Sequence, residues 1–137
     1  MRDAPGFAHL ARCLKIRWPS VKGFRFEARC AAVLKGEGKQ IEFLGKQIPA
    51  ASFLGFALHK TDFDIVADGV AYSCKCGRNA AGTKSVQNWV LQALRAAAGD
   101  PSKVKLLLTP DVVISGPLAT WLKNTLDLEI SDVVRRL

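Results

Sequence analysis

The stretch Thr61–Arg78 constrains the fold of this chain most, because it carries a strong β-hairpin signal. Within it, Asp68-Gly69 separates two runs of strand-forming residues, and Asp-Gly is a preferred pair for a two-residue hairpin turn. If these two residues form the loop, Ala67 lies opposite Val70 and pairing continues outward in antiparallel register. The sequence therefore predicts two paired strands joined by a tight turn.

This register decides which side chains share a face, since side chains alternate along a strand and directly opposed residues share a face. Asp64 is expected opposite Ser73, and Asp62 opposite Lys75. These four form a predicted polar face, whereas the other face is apolar and carries Phe63, Ile65, Ala67, Tyr72, Cys74 and Cys76. Two carboxylates and a lysine on one face favour a site for a metal ion and an anionic group.

The length of 137 residues and the hydrophobic content of 49% indicate one folded domain. We expect a single domain over residues 1–137, with a basic N-terminal helix at 1–20, a core at 21–109 and a C-terminal strand and helix extension at 110–137. No apolar run approaches the roughly 20 residues of a membrane span, and charges interrupt the start of the chain where a secretory signal is apolar. We therefore expect no membrane partner and a cytoplasmic or nucleoid-associated location.

The net charge of +8 is unevenly distributed, with +6 in residues 1–46 and +2 in residues 47–137. A basic surface built mainly by the first third of the chain suits a polyanionic partner, most simply nucleic acid. A solvated basic surface without a dedicated partner is the alternative interpretation.

Apolar periodicity predicts a mixed order of helices and strands. In chain order we expect helix 21–35, strand 39–44, an irregular connection at 45–60, the hairpin at 62–76, helix 83–98, strand 103–109, helix 117–126, and a short strand followed by a helical turn at 128–137. The strands at 70–76 and 103–109, joined by helix 83–98, form a β-α-β unit and should be parallel. The fold class is therefore α/β, with a central mixed β-sheet flanked by helices.

Two helices carry polar residues at informative positions. Glu27 is the only acid of helix 21–35, and its neighbours at three and four residues are apolar, so it should point inward and need a partner. Arg25 and Arg29 lie on other faces of that helix. On helix 83–98, Gln87 is at the edge of the apolar stripe and Gln92 is expected on the solvent side.

The chain has four cysteines, Cys13, Cys30, Cys74 and Cys76. Without a sign of export, reduced thiols are the default. The Cys74-x-Cys76 spacing is shorter than that of a usual zinc pair. Buried free thiols are therefore the main interpretation, and a zinc site is the alternative.

The joint order of elements and residues resembles the PD-(D/E)xK nuclease superfamily, which has the restriction-endonuclease-like fold, and within it the Holliday-junction-resolvase-like enzymes. The resemblance covers roughly residues 21–109 and rests on Lys22-Gly23, Glu27, Gly36, Asp64-Ile65-Val66 and Ser73-Cys74-Lys75. It implies the element order α-β-β-β-α-β plus a C-terminal helix.

The resemblance also implies roles for individual residues. Asp64 is the central metal-binding carboxylate, Glu27 the supporting acid, and Lys75 the residue that orients or activates the attacking water. Gln87 resembles a polar residue that some members place on the helix after the lysine strand. The second acid of the family, two residues before the lysine, is Ser73 here, and Asp62 is its natural substitute.

The function implied is a Mg²⁺- (or Mn²⁺-) dependent endonuclease that hydrolyses DNA, with branched or structured DNA as a substrate and a homodimer as the assembly. We expect DNA contacts from a basic set, Arg17, Lys22, Arg25, Arg29, Arg78 and Lys84. A subunit of the same fold that has lost catalysis and binds DNA or serves assembly is the first alternative. A zinc-stabilised nucleic-acid-binding domain is the second.

Overall fold

The computed structural model describes residues 21–78 and 82–137, so the expected N-terminal helix, Arg17 and Cys13 lie outside the described residues. The described helices are α1 (Val21–Gly36), α2 (Thr83–Ala96), α3 (Gly116–Leu126) and the single turn α4 (Ile130–Val133). The described strands are β1 (Ile41–Ile48), β2 (Ala51–Phe53), β3 (Phe56–Leu58), β4 (Thr61–Ala67), β5 (Val70–Lys75), β6 (Val104–Leu108) and β7 (Val134–Arg136).

Five of these strands form a mixed sheet in the order β1-β4-β5-β6-β7. β4 pairs antiparallel with both β1 and β5, whereas β6 pairs parallel with both β5 and β7. The parallel pairing of β5 with β6 confirms the predicted β-α-β unit, in which α2 is the connecting helix. A central mixed sheet flanked by helices is therefore the observed architecture.

The predicted β4–β5 hairpin forms with the expected turn and register. Ala67 pairs with Val70, and the ladder continues through Val66–Ala71 to Ile65–Tyr72. Asp68 and Gly69 both have positive φ, 49° and 75°. This is the backbone of a type I′ turn, whose twist matches that of the flanking strands. The ladder ends at Ile65–Tyr72, so the predicted outer pairs Asp64–Ser73 and Asp62–Lys75 are not part of it.

The predicted apolar face is confirmed for Ile65, Ala67, Tyr72, Cys74 and Cys76, which pack on the α1 side, but the alternation breaks at Asp64. Phe63 packs on the α2 side of the sheet, whereas Ile65 packs on the α1 side. Asp64 also reaches the α1 side, where its carboxyl meets Glu27. Gly45 lies in β1 between the partners of Phe63 and Ile65 and has a φ of 72°. The neighbouring strand thus departs from regular geometry at the same point.

The sheet is buried on both faces, which explains the continuous apolar run of β6. The α1 side is closed by a cluster of buried residues that includes Phe26, Cys30, Ala31, Leu34, Leu44, Ile65, Tyr72, Cys74 and Leu107. The α2 and α3 side is closed by a larger cluster that includes Phe63, Val86, Trp89, Val90, Leu106, Leu118 and Leu122. At roughly 1.5–3 kcal/mol for each fully buried large apolar side chain, these clusters supply the main favourable term in folding.

Two segments differ from the prediction. Residues 45–60, expected to be irregular, contain the end of β1 and a second hairpin, β2–β3. Its turn is Leu54-Gly55, and leucine is not a residue that turns favour, so the sequence gives little sign of it. At the C-terminus, α4 precedes β7, the reverse of the expected order. A reciprocal capping box between Glu129 and Asp132 starts α4.

No helix within the described ranges is long and apolar enough to cross a membrane.

Candidate active site

Glu27 and Asp64 meet at one side of the sheet, where their side chains share a hydrogen bond. Glu27 comes from the inward face of α1, and Asp64 comes from the point where β4 breaks its alternation. Both are partly buried. The inward direction predicted for Glu27 is therefore confirmed, and its partner is a second acid rather than an arginine.

Two carboxyls in contact cannot both carry a charge at low cost, so one of them retains a proton. The pKa of Glu27 is raised from its ordinary 4.5 to about 8, chiefly by burial and then by the charge and the hydrogen bond of Asp64. Lys75 opposes this shift only weakly. At neutral pH Glu27 is therefore the protonated partner and donates its proton to Asp64.

Asp64 is held by the backbone of the strand opposite. The Cys74 N–H donates to Asp64 Oδ2 at 2.7 Å. Burial raises the pKa of Asp64, whereas the Cys74 N–H, the charge of Lys75 and the hydrogen bond from Glu27 lower it. The pKa of Asp64 is raised on balance, but these three contacts favour its charged form, whereas Lys75 alone does so for Glu27; Asp64 is therefore the better acceptor of the pair.

Lys75 lies at the end of β5, close enough to both carboxyls to favour their charged forms. Thr109 fixes this strand end, since its N–H donates to the Lys75 carbonyl at 3.1 Å. The Thr109 hydroxyl in turn accepts from the Gly77 N–H at 3.3 Å. The structure thus brings together Glu27, Asp64 and Lys75, three of the predicted site residues.

Asp62 lies at the edge of this group and is exposed. The Trp89 indole N–H donates to its carbonyl at 3.2 Å, and Trp89 packs edge-on against Phe63 with ring centroids 5.7 Å apart. The charge of Asp62 is close enough to raise the pKa of Asp64. Across residues 21–78 and 82–137, however, no group of three or more His, Cys, Asp or Glu side chains is close enough to hold one metal ion.

Two further residues predicted for catalysis lie on α2 and β5. Ser73 is buried in β5, paired with Leu106 of β6, and brings no carboxylate to the site. Gln87 is half-buried on α2. Among the described residues, no hydrogen bond joins Gln87 to the Glu27–Asp64 pair.

Four of the predicted DNA-contacting residues are exposed, and the side chain of a fifth, Lys22, lies outside the described part of the structure. Arg25 and Arg29 lie one turn apart on the outer face of α1, Arg78 follows β5, and Lys84 is in the first turn of α2. The α1 helix also carries Glu27, so Arg25 and Arg29 project from the element that supplies one carboxyl of the pair.

Two thiols lie beside the carboxyl pair. Cys30 and Cys74 are buried and hydrogen-bonded to each other. This bond, together with burial and the charge of Asp64, raises the pKa of the Cys74 thiol. Both are free cysteines, and they act as core side chains.

An open pocket of about 520 Å³ begins at Asp62 and extends over the root of the β2–β3 hairpin. Its lining residues are Gln47, Ile48, Pro49, Lys60, Thr61 and Asp62. A cationic side chain and a carboxylate at the mouth of an open pocket suit an extended polar ligand better than a small apolar one.

No protein-family model matches the sequence, and neither the curated proteins nor the solved structures give a match. The resemblance to the PD-(D/E)xK nucleases therefore rests on the residues quoted above and on the order of the elements.

The sequence prediction missed two groups that hold the site and its surroundings in place, one at the carboxyl pair and one at the root of the β2–β3 hairpin. The Cys74 backbone acts through its N–H, which no side-chain motif discloses. Gln92 was expected on the solvent side, but it is fully buried and its amide Nε2 donates to the carbonyls of Pro49 and His59 at 2.9 and 3.0 Å. The sequence offered one sign of this role for Gln92. Asn88 lies four residues earlier and therefore on the same face of the helix, and Asn88 also bonds His59.

Proposed function

We propose that this protein is a metal-dependent endonuclease that hydrolyses DNA. One observation carries the proposal: Glu27 and Asp64 come from distant parts of the chain and share a partly buried hydrogen bond beside Lys75. Such a pair stabilises the fold poorly, because each carboxyl is desolvated beside a like charge. Titratable groups perturbed in this way concentrate at functional sites.

The donor set fits a hard divalent cation. Mg²⁺ prefers oxygen ligands and usually binds through one or two carboxylates, while waters and substrate phosphates complete its shell. Two carboxyls with no third acid in their group therefore suffice, provided that the substrate supplies oxygens. A cation would replace the proton that Glu27 shares with Asp64.

Each residue then has a role in hydrolysis. Asp64 and Glu27 hold the cation, which when bound lowers the pKa of water and stabilises charge on phosphate. Lys75 orients the attacking water and balances the charge of the scissile phosphate. Arg25 and Arg29 contact backbone phosphates beside the site, since they project from the helix that carries Glu27.

A catalytically inactive DNA-binding or assembly subunit is the second candidate, and Ser73 favours it. The position that would hold a further acid carries a buried, neutral hydroxyl. The zinc-stabilised domain has less support, because the described cysteines form no group of three metal ligands. The homodimer and the cytoplasmic or nucleoid location stay predictions.

A cleavage assay tests the proposal. The full chain is incubated with Mg²⁺ or Mn²⁺ and duplex, single-stranded or four-way-junction DNA. We expect cleavage that falls roughly 100-fold or more in Asp64→Asn and in Lys75→Ala, while DNA binding persists. Asp68→Asn is the matched control, because it makes the same change in the turn of the same hairpin, where asparagine is well tolerated.

Two outcomes separate the candidates. Cleavage that survives in Asp64→Asn contradicts the proposed site. Salt-sensitive DNA binding without cleavage of any substrate supports the inactive subunit. The Asp62→Asn variant shows whether that exposed carboxylate takes part, since its loss lowers cleavage only if it stands in for the acid that Ser73 replaces.

A further inference from the structure

The β2–β3 hairpin ends in an exposed apolar tip. Leu54 is 61% exposed and Phe56 is 38% exposed, whereas Phe53 and Leu58 of the same hairpin pack inward. From Phe43 to Thr61 the chain has no acidic residue. The tip therefore presents apolar side chains within a stretch whose only charges are positive.

The turn at this tip holds a leucine in a backbone conformation that leucine disfavours. Leu54 and Gly55 have φ of 52° and 80°, both in the left-handed region. A residue with a Cβ pays a penalty there unless it is asparagine or aspartate, whose side chain bonds locally. The β4–β5 turn of the same chain uses Asp68-Gly69 for the same geometry. A leucine that is both strained and exposed indicates a use outside the fold.

The root of the hairpin is held rigidly on α2. Gln92 donates to the carbonyls of Pro49 and His59, one on each side of the hairpin. Asn88 bonds both the N–H and the carbonyl of His59, at 2.8 and 3.0 Å. The tip is therefore presented in a fixed orientation, which lowers the entropy that binding would cost.

The hairpin leads directly into the strand that carries the candidate active site. Phe56 and Asp64 are eight residues apart, which is at most about 26 Å of extended chain, or roughly eight base pairs of DNA at 3.4 Å each. Lys46 and Lys60 are exposed on either side of the hairpin root. One DNA segment can thus reach the tip, these lysines and the carboxyl pair together.

We propose that the Leu54–Phe56 tip inserts between bases of DNA bound at the candidate active site. This inference rests on the proposed function. The apolar side chains would replace base stacking at one step, and the flanking lysines would contact the adjacent phosphates. Apolar wedges of this type unstack a base step at a cost of a few kcal/mol, which is smallest where the step is already open. The absence of acids around the tip favours a nucleic acid over a basic or neutral protein surface.

The test uses DNA that carries 2-aminopurine, whose fluorescence rises when it is unstacked. Ca²⁺ replaces Mg²⁺ so that hydrolysis does not obscure binding, and label positions are scanned along a duplex and a four-way junction. We expect the wild-type protein to raise the fluorescence at one position. Leu54→Asn and Phe56→Ser should abolish this rise and weaken binding about tenfold, as loss of one stacking contact does. Val113→Asn is the matched control, because Val113 is 58% exposed and lies far along the chain from the tip.

The outcomes distinguish this inference from the proposed function. If Leu54→Asn binds as tightly as the wild type with the same fluorescence rise, the insertion of the tip is refuted. DNA cleavage by the wild type would then still support the proposed endonuclease function. If the wild type binds no DNA, both are refuted. Urea unfolding provides a further check, since Leu54→Asn should unfold at an equal or higher urea concentration. A lower concentration, or a loss of self-association in sedimentation, would assign the tip to the fold or to a protein contact instead.

Discussion

Replacing Glu27 by glutamine tests directly whether the carboxyl pair shares a proton. Glutamine keeps the shape of the protonated glutamate and can still donate to Asp64, but it cannot lose a proton. The folded protein raises the pKa of Glu27 from 4.5 to about 8. Between these values the folded chain holds one more proton than the unfolded chain, so the free energy of unfolding must fall as pH rises.

The size of the fall follows from the same linkage. One proton corresponds to about 1.4 kcal/mol per pH unit, which gives about 5 kcal/mol at most across the window from 4.5 to about 8. Because Asp64 shares the proton and the charge, we expect about 2–5 kcal/mol for the wild type. In Glu27→Gln this contribution is absent. The two proteins should therefore be similar near pH 5, and the variant should be more stable at pH 9.

The assay is urea unfolding of the full chain from pH 5 to pH 9 in EDTA, followed by tryptophan fluorescence. Glu42→Gln is the matched control, since Glu42 is an exposed glutamate that accepts from the Gly69 N–H rather than from a carboxyl. Adding Mg²⁺ at pH 8 should restore stability to the wild type alone, by about 2.7 kcal/mol at a hundred times the dissociation constant. A wild-type stability that is flat or rises between pH 5 and 8, or a parallel fall in Glu27→Gln, would refute the shared proton.

The remaining predictions concern the hairpin root and the basic surface. Gln92→Leu should lower the free energy of unfolding by about 1–3 kcal/mol, because the Pro49 carbonyl loses its side-chain donor and the His59 carbonyl keeps only Asn88. Hydrogen exchange should rise in residues 49–59 while that of β6 stays low; unchanged exchange would show that Gln92 does not hold the hairpin root. The double variant Arg25→Gln with Arg29→Gln should reduce the slope of log affinity for DNA against log salt by about 2, without a change in unfolding; an unchanged slope would remove α1 from the DNA interface.

The sequence predicted well wherever local chemistry decided the outcome. Asp68-Gly69 predicted the turn and the register of its hairpin because few residue pairs accept two left-handed positions. The apolar stripe of α2 and the run of β6 predicted a β-α-β unit, because two strands joined by a helix normally pair in parallel through that crossover. Glu27 was predicted to point inward because its helical neighbours are apolar.

The prediction failed where tertiary contacts override local pattern. Strict alternation assigned Asp64 to the face opposite Ile65, but the break at Gly45 and Asp64 puts both on the α1 side. Gln92 looked solvent-exposed because the carbonyls that satisfy it belong to an irregular part of the chain. The Leu54-Gly55 turn was missed because its first residue is one that turns disfavour.

The break in β4 is what makes the candidate site possible. In a regular strand Asp64 would point away from α1, and Glu27 would lack its carboxyl partner. With the break, Asp64 enters the same partly buried space, and desolvation there raises the pKa of both carboxyls. The resulting pair is stable when a proton neutralises it and costly when both groups are charged. A divalent cation would remove the same cost without a proton, so the feature that weakens the fold at high pH is the one that we propose as the metal site.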